Sequence, residues 1–310
     1  MDIEQQLTLP EIPLAPPEFK SGFVGIVGRT NVGKSTLMNQ LVGQKVAIVS
    51  PISQTTRNRL KGILTTPEAQ IIFVDTPGIH KPHHELGKVL VKNAKMAIES
   101  VDLLLFVVDS STIAGGGDRY VAKLLQNSKT PIILGLNKTD LATENWEESY
   151  AQLREDKDWE IAKFSALTGA GIETLQQNII GKLATGPYYY PPDLVTDRPE
   201  RFIMGELIRE QILLLTREEI PHSVAVTIER VIEDTNITRI FANICVERKS
   251  QKGILIGKGG SMLKAIGTAA REQIQKLIVG KVYLELFVKI ELKWRQSRLQ
   301  LSELGYKIEP

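Results

Sequence analysis

The 310-residue chain has a single cysteine, Cys245. One thiol cannot close an internal disulfide or build a cysteine zinc site, which excludes a disulfide-stapled secreted scaffold. Long apolar runs are also missing. Stretches such as Leu103–Val108 are far too short to span a bilayer. The first 20 residues carry no basic region followed by an apolar stretch, so no secretory signal is read there. A reducing, cytoplasmic setting fits these absences. No internal repeat is visible. Hydrophobic residues make up 42% and charged residues 24%, an ordinary soluble balance that excludes collagen-like, mucin-like and wholly disordered chains. The length suits about two domains.

Neither sign of charge dominates the whole, since the formal net charge is +2. Its distribution is uneven. Residues 201–310 hold 18 basic and 13 acidic side chains, and Cys245–Arg298 alone holds 12 against 4. Such a bias points to a polyanion-binding C-terminal half, although a basic face is often merely solvated.

Residues 1–18 carry Pro10, Pro13, Pro16 and Pro17 and read as an extended or disordered leader. Residues 19–184 alternate short apolar runs (Phe23–Val27, Ile71–Val74, Leu103–Val108, Pro131–Leu136) with helical stretches at Glu85–Glu99 and Asp118–Asn127. Runs of that kind suit a mostly parallel sheet covered on both faces, hence a doubly wound α/β domain. Residues 185–200 hold Gly186-Pro187-Tyr188-Tyr189-Tyr190-Pro191-Pro192 and read as a linker. Its tyrosines either stack on bases or pin the linker to a neighbouring domain. In residues 201–310 the rhythm is α+β: helix Arg201–Thr216, strands Val224–Val231 and Ile237–Val246, helix Ser261–Ile278 and strand Val282–Ile290.

The strand Phe23–Val27 runs into Gly28-Arg29-Thr30-Asn31-Val32-Gly33-Lys34-Ser35, and an apolar helix follows from Thr36. This is a phosphate-binding loop. Its glycines let successive N–H groups turn inward, and the next helix offers its unsatisfied N-terminal donors to the same anion. Lys34 can bridge β- and γ-phosphates, and the Ser35 hydroxyl is the expected Mg²⁺ ligand.

Three further signals name the base. Asp75-Thr76-Pro77-Gly78 follows an apolar strand; there Asp75 can hold Mg²⁺ through water and the Gly78 N–H can read a γ-phosphate. Asn137-Lys138-Thr139-Asp140 follows another strand, where the carboxylate can accept from guanine N1–H and its exocyclic amine. Ser165-Ala166-Leu167 can donate a main-chain N–H to guanine O6. All lie at the carboxyl edge of one sheet, where such folds bind ligands. Together these motifs resemble those of translation-factor-like GTPases. By that resemblance Thr56, with Thr55 as alternative, closes over Mg²⁺ and the γ-phosphate, so Lys34, Thr56 and Gly78 are the candidate catalytic residues. Ile79 stands where Ras-like enzymes carry a water-orienting glutamine, which predicts slow intrinsic hydrolysis. In related GTPases an asparagine at the position of Asn31 helps bind K⁺; the alternative is an asparagine that merely tolerates a turn. His80, His83 and His84 read as an exposed switch loop rather than a metal site. Cys245 reads as a core residue.

The second half carries Gly257-Lys258-Gly259-Gly260, a G-x-x-G clamp after apolar residues and before a helix. Glycine allows close approach to the sugar–phosphate chain of about four nucleotides. Lys252, Lys258 and Lys264 add charge, and Ile256 is a candidate floor for a base-binding groove. The element order resembles a type II KH domain, which favours single-stranded RNA.

A GTPase of this type joined to a type II KH domain resembles the Era family of ribosome-assembly GTPases, also in Gln54-Thr55-Thr56-Arg57 and Asp75-Thr76-Pro77-Gly78-Ile79-His80. The resemblance implies GTP binding and hydrolysis to GDP and phosphate with Mg²⁺, binding near the 3′ end of 16S ribosomal RNA, a role in small-subunit maturation, and cytoplasmic residence with some peripheral association with the inner membrane face. The expected mechanism is a switch: GTP and Mg²⁺ order the loops around Thr56 and Gly78, and that order is relayed across the linker to free the RNA groove. Other readings are a GTPase partner of an RNA-modifying enzyme, a non-hydrolysing RNA-binding scaffold and a membrane-signalling GTPase.

Overall fold

The computed structural model describes residues 12–52, 55–78, 85–142, 146–154 and 157–306. Gln54, Ile79, His80, His83, His84 and the first eleven residues of the leader lie outside them.

The first half comprises β1 (Lys20–Val27), α1 (Lys34–Val42), β2 (Leu60–Thr65), β3 (Ala69–Asp75), α2 (Glu85–Glu99), β4 (Leu103–Asp109), α3 (Gly116–Leu125), β5 (Ile132–Asn137), α4 (Glu147–Ala151), β6 (Glu160–Lys163) and α5 (Ile172–Lys182). Six strands form one sheet in the order β2-β3-β1-β4-β5-β6. Only β2 is antiparallel to its neighbour. Every residue of β3, β4 and β5 is buried. Their largely apolar sequences follow from that, because helices cover both faces of the sheet. The chain leaves β1 toward β3 on one side and reaches β4 on the other, so the crevice above β1 is the switch point where ligands sit.

The linker is pinned to this sheet. The Tyr188 ring packs on Phe19 with centroids 4.3 Å apart, and Tyr189 packs on Phe23 at 5.1 Å. Gln70 accepts from the N–H groups of both Tyr189 and Tyr190, while Lys61 donates to the Tyr190 hydroxyl at 3.1 Å. The tyrosines thus hold the linker in place.

The second half comprises α6 (Glu200–Leu215), the short α7 (Ile220–Ser223), β7 (Ala225–Asp234), β8 (Ile237–Val246), α8 (Lys249–Ile256), α9 (Ser261–Ile274), β9 (Lys281–Ile290) and α10 (Arg298–Glu303). β8 pairs antiparallel with β7 and parallel with β9. The helix expected to run to Ile278 ends four residues earlier, where the Gln275 side chain turns to meet the Val282 N–H. A cluster of Leu86 and Leu90 from α2 with Ala225, Cys245, Trp294, Leu301 and Tyr306 joins the two halves. None of the described helices is long and apolar enough to cross a membrane.

Candidate functional site: a nucleotide cleft and a glycine clamp

The phosphate-binding loop leaves the carboxyl end of β1, and α1 begins at Lys34, two residues before the sequence suggested. Gly33 has φ 95°, and a Cβ there would lie 2.4 Å from the Asn137 side-chain nitrogen, so only glycine fits. The Lys34 ammonium donates to the loop's own carbonyls, Gly28 at 3.1 Å and Arg29 at 2.7 Å. Burial lowers its pKa to about 8, against the favourable pull of Asp75 and with Arg29 adding to the fall. The ammonium is therefore aimed into a small ring of inward-facing groups and is costly to leave without an anion.

Three oxygens meet beside it. The Ser35 hydroxyl donates to Asp75 Oδ2 at 2.8 Å, the Thr56 hydroxyl donates to the same oxygen at 3.1 Å, and the two hydroxyls are 2.8 Å apart. Asp75 Oδ1 is buried with no hydrogen-bond partner. Burial raises the Asp75 pKa, while Lys34 and the two hydroxyls oppose the rise. A buried carboxylate with one orphaned oxygen beside two hydroxyls is a hard, oxygen-only donor set, which fits Mg²⁺. The Thr55 hydroxyl turns elsewhere, donating to the Ile52 carbonyl at 2.6 Å. Thr76 is buried and donates to the Ile26 carbonyl at 2.9 Å. Gly78 packs on Thr30, whose Cγ2 would stand 2.6 Å from a Cβ at that position.

The opposite side of the cleft is organised by Asn137. Its amide donates to the Val32 carbonyl at 2.8 Å and its oxygen accepts the Ala166 N–H at 2.9 Å. One side chain thereby ties the phosphate loop to both base-reading loops. Lys138 donates to the Asn31 carbonyl at 3.0 Å and to Asp109 Oδ2 at 2.6 Å. Burial alone would raise the Asp109 pKa, but hydrogen bonds from Lys138 and Ser111 outweigh it and hold the carboxyl below its ordinary value. Thr139 donates its N–H to the Phe164 carbonyl, Ser165 is buried, and Asp140 and Leu167 are exposed at the rim. Asn31 has φ 64° and donates to the Pro51 carbonyl at 2.8 Å. A cleft of about 370 Å³ runs between Lys34, Ser35, Thr56, Gly78 and Lys138.

Sequence reasoning passed over several supporting groups. The Arg29 guanidinium is drawn to the fully buried Asp118 of α3 at 3.1 Å and also donates to the Thr30 carbonyl of its own loop at 3.4 Å. Tyr150 donates to the carbonyls of Asp109 and Thr112, locking the end of β4. Neither Asp118 nor Tyr150 belongs to a short motif. An acidic residue in the first turn of an amphipathic helix was the only available hint for Asp118.

In the second half Gly257, Gly259 and Gly260 all have positive φ (72°, 60° and 81°), and Gly260 leads directly into α9. Lys258 and Lys264 are exposed and Lys252 is half-buried. Ile256 is half-buried against the core. A groove of about 350 Å³ opens between α9 and β9, lined by Gly260, Leu263, Lys264, Gly267, Arg271 and Leu286 among others. Of these, only Gly260 and Lys264 were singled out by sequence; the rest become legible only once α9 and β9 are side by side.

Comparisons with known proteins bear on the fold and the family. The family described as 50S ribosome-binding GTPase matches residues 23–138, and the KH domain family matches residues 219–295. The protein named GTPase Era from Rippkaea orientalis is 70% identical over 307 residues, covering 98% of each chain. That from Synechocystis is 65% identical over 306 residues, covering 97% of each. Among solved structures, an Era variant of Aquifex aeolicus bound to GDP·AlF4⁻ superposes with a TM-score of 0.89 at 38% identity, covering 93% of this chain and 99% of that one. Era in complex with MgGDPNP and nucleotides 1506–1542 of 16S ribosomal RNA superposes at 0.88, with the same identity and coverage. The chain described here belongs to the Era family of GTPases, a P-loop GTP hydrolase fused to a KH domain.

Proposed function

We propose that this GTPase is a nucleotide-controlled clamp on ribosomal RNA: its KH half grips the 3′-terminal region of 16S RNA in the GTP state, assists maturation of the small subunit, and lets go after hydrolysis. The observation that carries the reading is the meeting of Ser35, Thr56 and the half-satisfied Asp75 in a chain that also presents a three-glycine clamp at the start of α9. The RNA partner follows from likeness to a relative whose structure contains nucleotides 1506–1542 of that RNA.

In this reading the main-chain N–H groups of residues 28–35 and the Lys34 ammonium bind the phosphates. Ser35 and Thr56 would hold Mg²⁺ directly and Asp75 would hold it through water; bound there, the ion neutralises charge on the β- and γ-phosphates. Asp140 accepts from the guanine edge, Ala166 offers its loop to O6, and Asn137 fixes both loops. The Gly78 N–H turns toward the γ-phosphate. With Ile79 unable to orient water, turnover is slow. Asn31 beside the cleft is the candidate K⁺ ligand; faster turnover in K⁺ than in Na⁺ supports that role, and equal rates remove it.

Residues Gly257–Gly260 let the RNA backbone approach, with Lys252, Lys258 and Lys264 supplying charge and Ile256 apolar support. Crosslinking the protein to cellular RNA and mapping the attached nucleotides tests the partner. Attachment near the 3′ end of 16S RNA is expected; attachment spread without preference would contradict it.

A further inference from the structure

Thr56 is held from both sides by groups of the KH half. The next residue, Arg57, is 1% exposed, and its guanidinium donates to the carbonyls of Val224 at 2.6 Å and Pro221 at 2.8 Å. Pro221 lies within the short α7 and Val224 caps it, and carbonyls of so short a helix lack intrahelical partners. The Tyr306 ring lies 5.9 Å from the same guanidinium and stacks on Trp294, whose indole N–H donates to the Ser223 carbonyl. On the other side of Thr56, the Thr55 carbonyl accepts from Arg209 of α6. The Arg209 guanidinium is fully buried and oriented by two hydrogen bonds to Glu206, at 2.8 and 2.6 Å. One residue further along α6, Glu210 accepts the Val49 N–H at 2.9 Å and pairs with Lys45 at 2.6 Å. The segment approaching Thr56 is thus fastened upstream as well.

We infer that Arg209 and Arg57 are positioning residues of the GTPase reaction, clamping the main chain on either side of Thr56 to the KH half and so fixing the Thr56 hydroxyl beside Ser35 and Asp75. The inference rests on the reading that Thr56 closes over the nucleotide. Two buried guanidiniums are an expensive way to glue domains together, because each must be stripped of water. Apolar side chains would bind the halves at lower cost, as the Leu86–Trp294 cluster already does. Directionality is what the guanidiniums add: planar donors fix a carbonyl's position to a fraction of an ångström. A displacement of about 1 Å at a reacting site can cost on the order of 100-fold in rate. The linker, pinned along the sheet by its tyrosines, meets the chain just beyond this segment, where Arg198 donates to the Arg59 carbonyl at 3.1 Å. The Thr55–Arg57 segment therefore couples the halves directly, in addition to the linker.

The test uses the full chain with Arg209→Gln, Arg209→Lys and Thr56→Ala. Arg209→Gln is expected to lower kcat about tenfold and to weaken a non-hydrolysable GTP analogue while leaving GDP affinity unchanged. Arg209→Lys, whose ammonium can still reach the Thr55 carbonyl, is expected to recover part of the loss. A merely structural role predicts equal weakening of GDP and analogue; that result, or wild-type kcat in Arg209→Gln, overturns the inference. Thr56→Ala separates the layers. Slow Thr56→Ala beside full-speed Arg209→Gln sinks the clamp alone, whereas full-speed Thr56→Ala sinks the underlying reading and the clamp with it. Should Arg209→Gln fail to fold, hydrogen exchange across residues 217–226 of the unmodified chain decides. Slower exchange with the analogue than with GDP is expected, and identical exchange overturns the proposal.

Discussion

Asn137 donates its side-chain amide to the main-chain carbonyl of Val32 across 2.8 Å, joining the base-reading loop to the phosphate loop without any help from the nucleotide. The same side chain accepts from Ala166. Asn137→Ala orphans a buried carbonyl and a buried N–H, each worth about 1–3 kcal/mol. Affinity for GTP and for GDP should fall together by at least tenfold, measured by fluorescent-nucleotide titration. Loss of GTP affinity alone would show that Asn137 serves the γ-phosphate side instead.

Asp140 stands exposed at the rim with its carboxylate free to meet a base edge that donates twice. Asp140→Asn can accept only one such bond and presents a donor in place of the other acceptor. GTP affinity should drop by about 100-fold, and xanthosine triphosphate, which carries an acceptor where guanine has its amine, should be preferred. Retained preference for GTP in competition titrations would move the base contact elsewhere.

Lys34 gives a pH signature. Its pKa is lowered from 10.5 to about 8 by burial. Between those values the unfolded chain binds a proton that the folded chain does not, so stability rises with pH across that window. Below about pH 8 both forms are protonated and the full cost of the buried ammonium is borne. A polyphosphate in the cleft favours the charged form, so binding at pH 8.5 should take up part of a proton. Calorimetry in two buffers of different ionisation heat measures this; zero uptake would mean that Lys34 does not face the phosphates.

Cys245 reports on the seam between the halves. It packs among Leu86, Leu90 and Trp294, and burial lifts its thiol to about 11. At pH 8 roughly one thiol in a thousand is ionised, so alkylation should be negligible over an hour. Trp294→Ala removes a fully buried ring, at a cost of about 3–5 kcal/mol, and should speed labelling at least tenfold. Unchanged labelling, followed by mass spectrometry, would mean that the seam holds without Trp294.

Chemistry-bearing loops were more legible in the sequence than the contacts that aim them. A phosphate loop needs glycine and lysine at fixed spacing, so its residues announce themselves, and α2 falls on Glu85–Glu99 as its pattern indicated. The strand β2 was missed because Leu60–Thr65 is a half-buried edge strand interrupted by Gly62, with neither a continuous nor an alternating apolar pattern. The burial of Arg57 and Arg209 was invisible for a different reason. Periodicity speaks for apolar side chains, while a buried guanidinium depends on carbonyls more than 150 residues away in sequence. Trp294 and Tyr306 escaped likewise, since their partners lie on α2 and α7.

Gly259 offers a clean probe of the clamp. It has φ 60°, and a Cβ there meets nothing within 4 Å. Aspartate tolerates that conformation better than most residues, so Gly259→Asp should cost about 1 kcal/mol of stability, leaving the chain folded while placing a negative charge where an RNA backbone would pass. RNA affinity should fall at least tenfold by filter binding. Undiminished binding would put the RNA on another face.

Control of the RNA grip by the nucleotide is tested most directly by fluorescence anisotropy with a labelled RNA matching the 3′ end of 16S RNA. The full chain is titrated once with Mg²⁺ and a non-hydrolysable GTP analogue and once with Mg²⁺ and GDP. The account predicts binding at least tenfold tighter with the analogue, and by linkage an equal tightening of the analogue by RNA. Equal affinity in the two nucleotide states would contradict it.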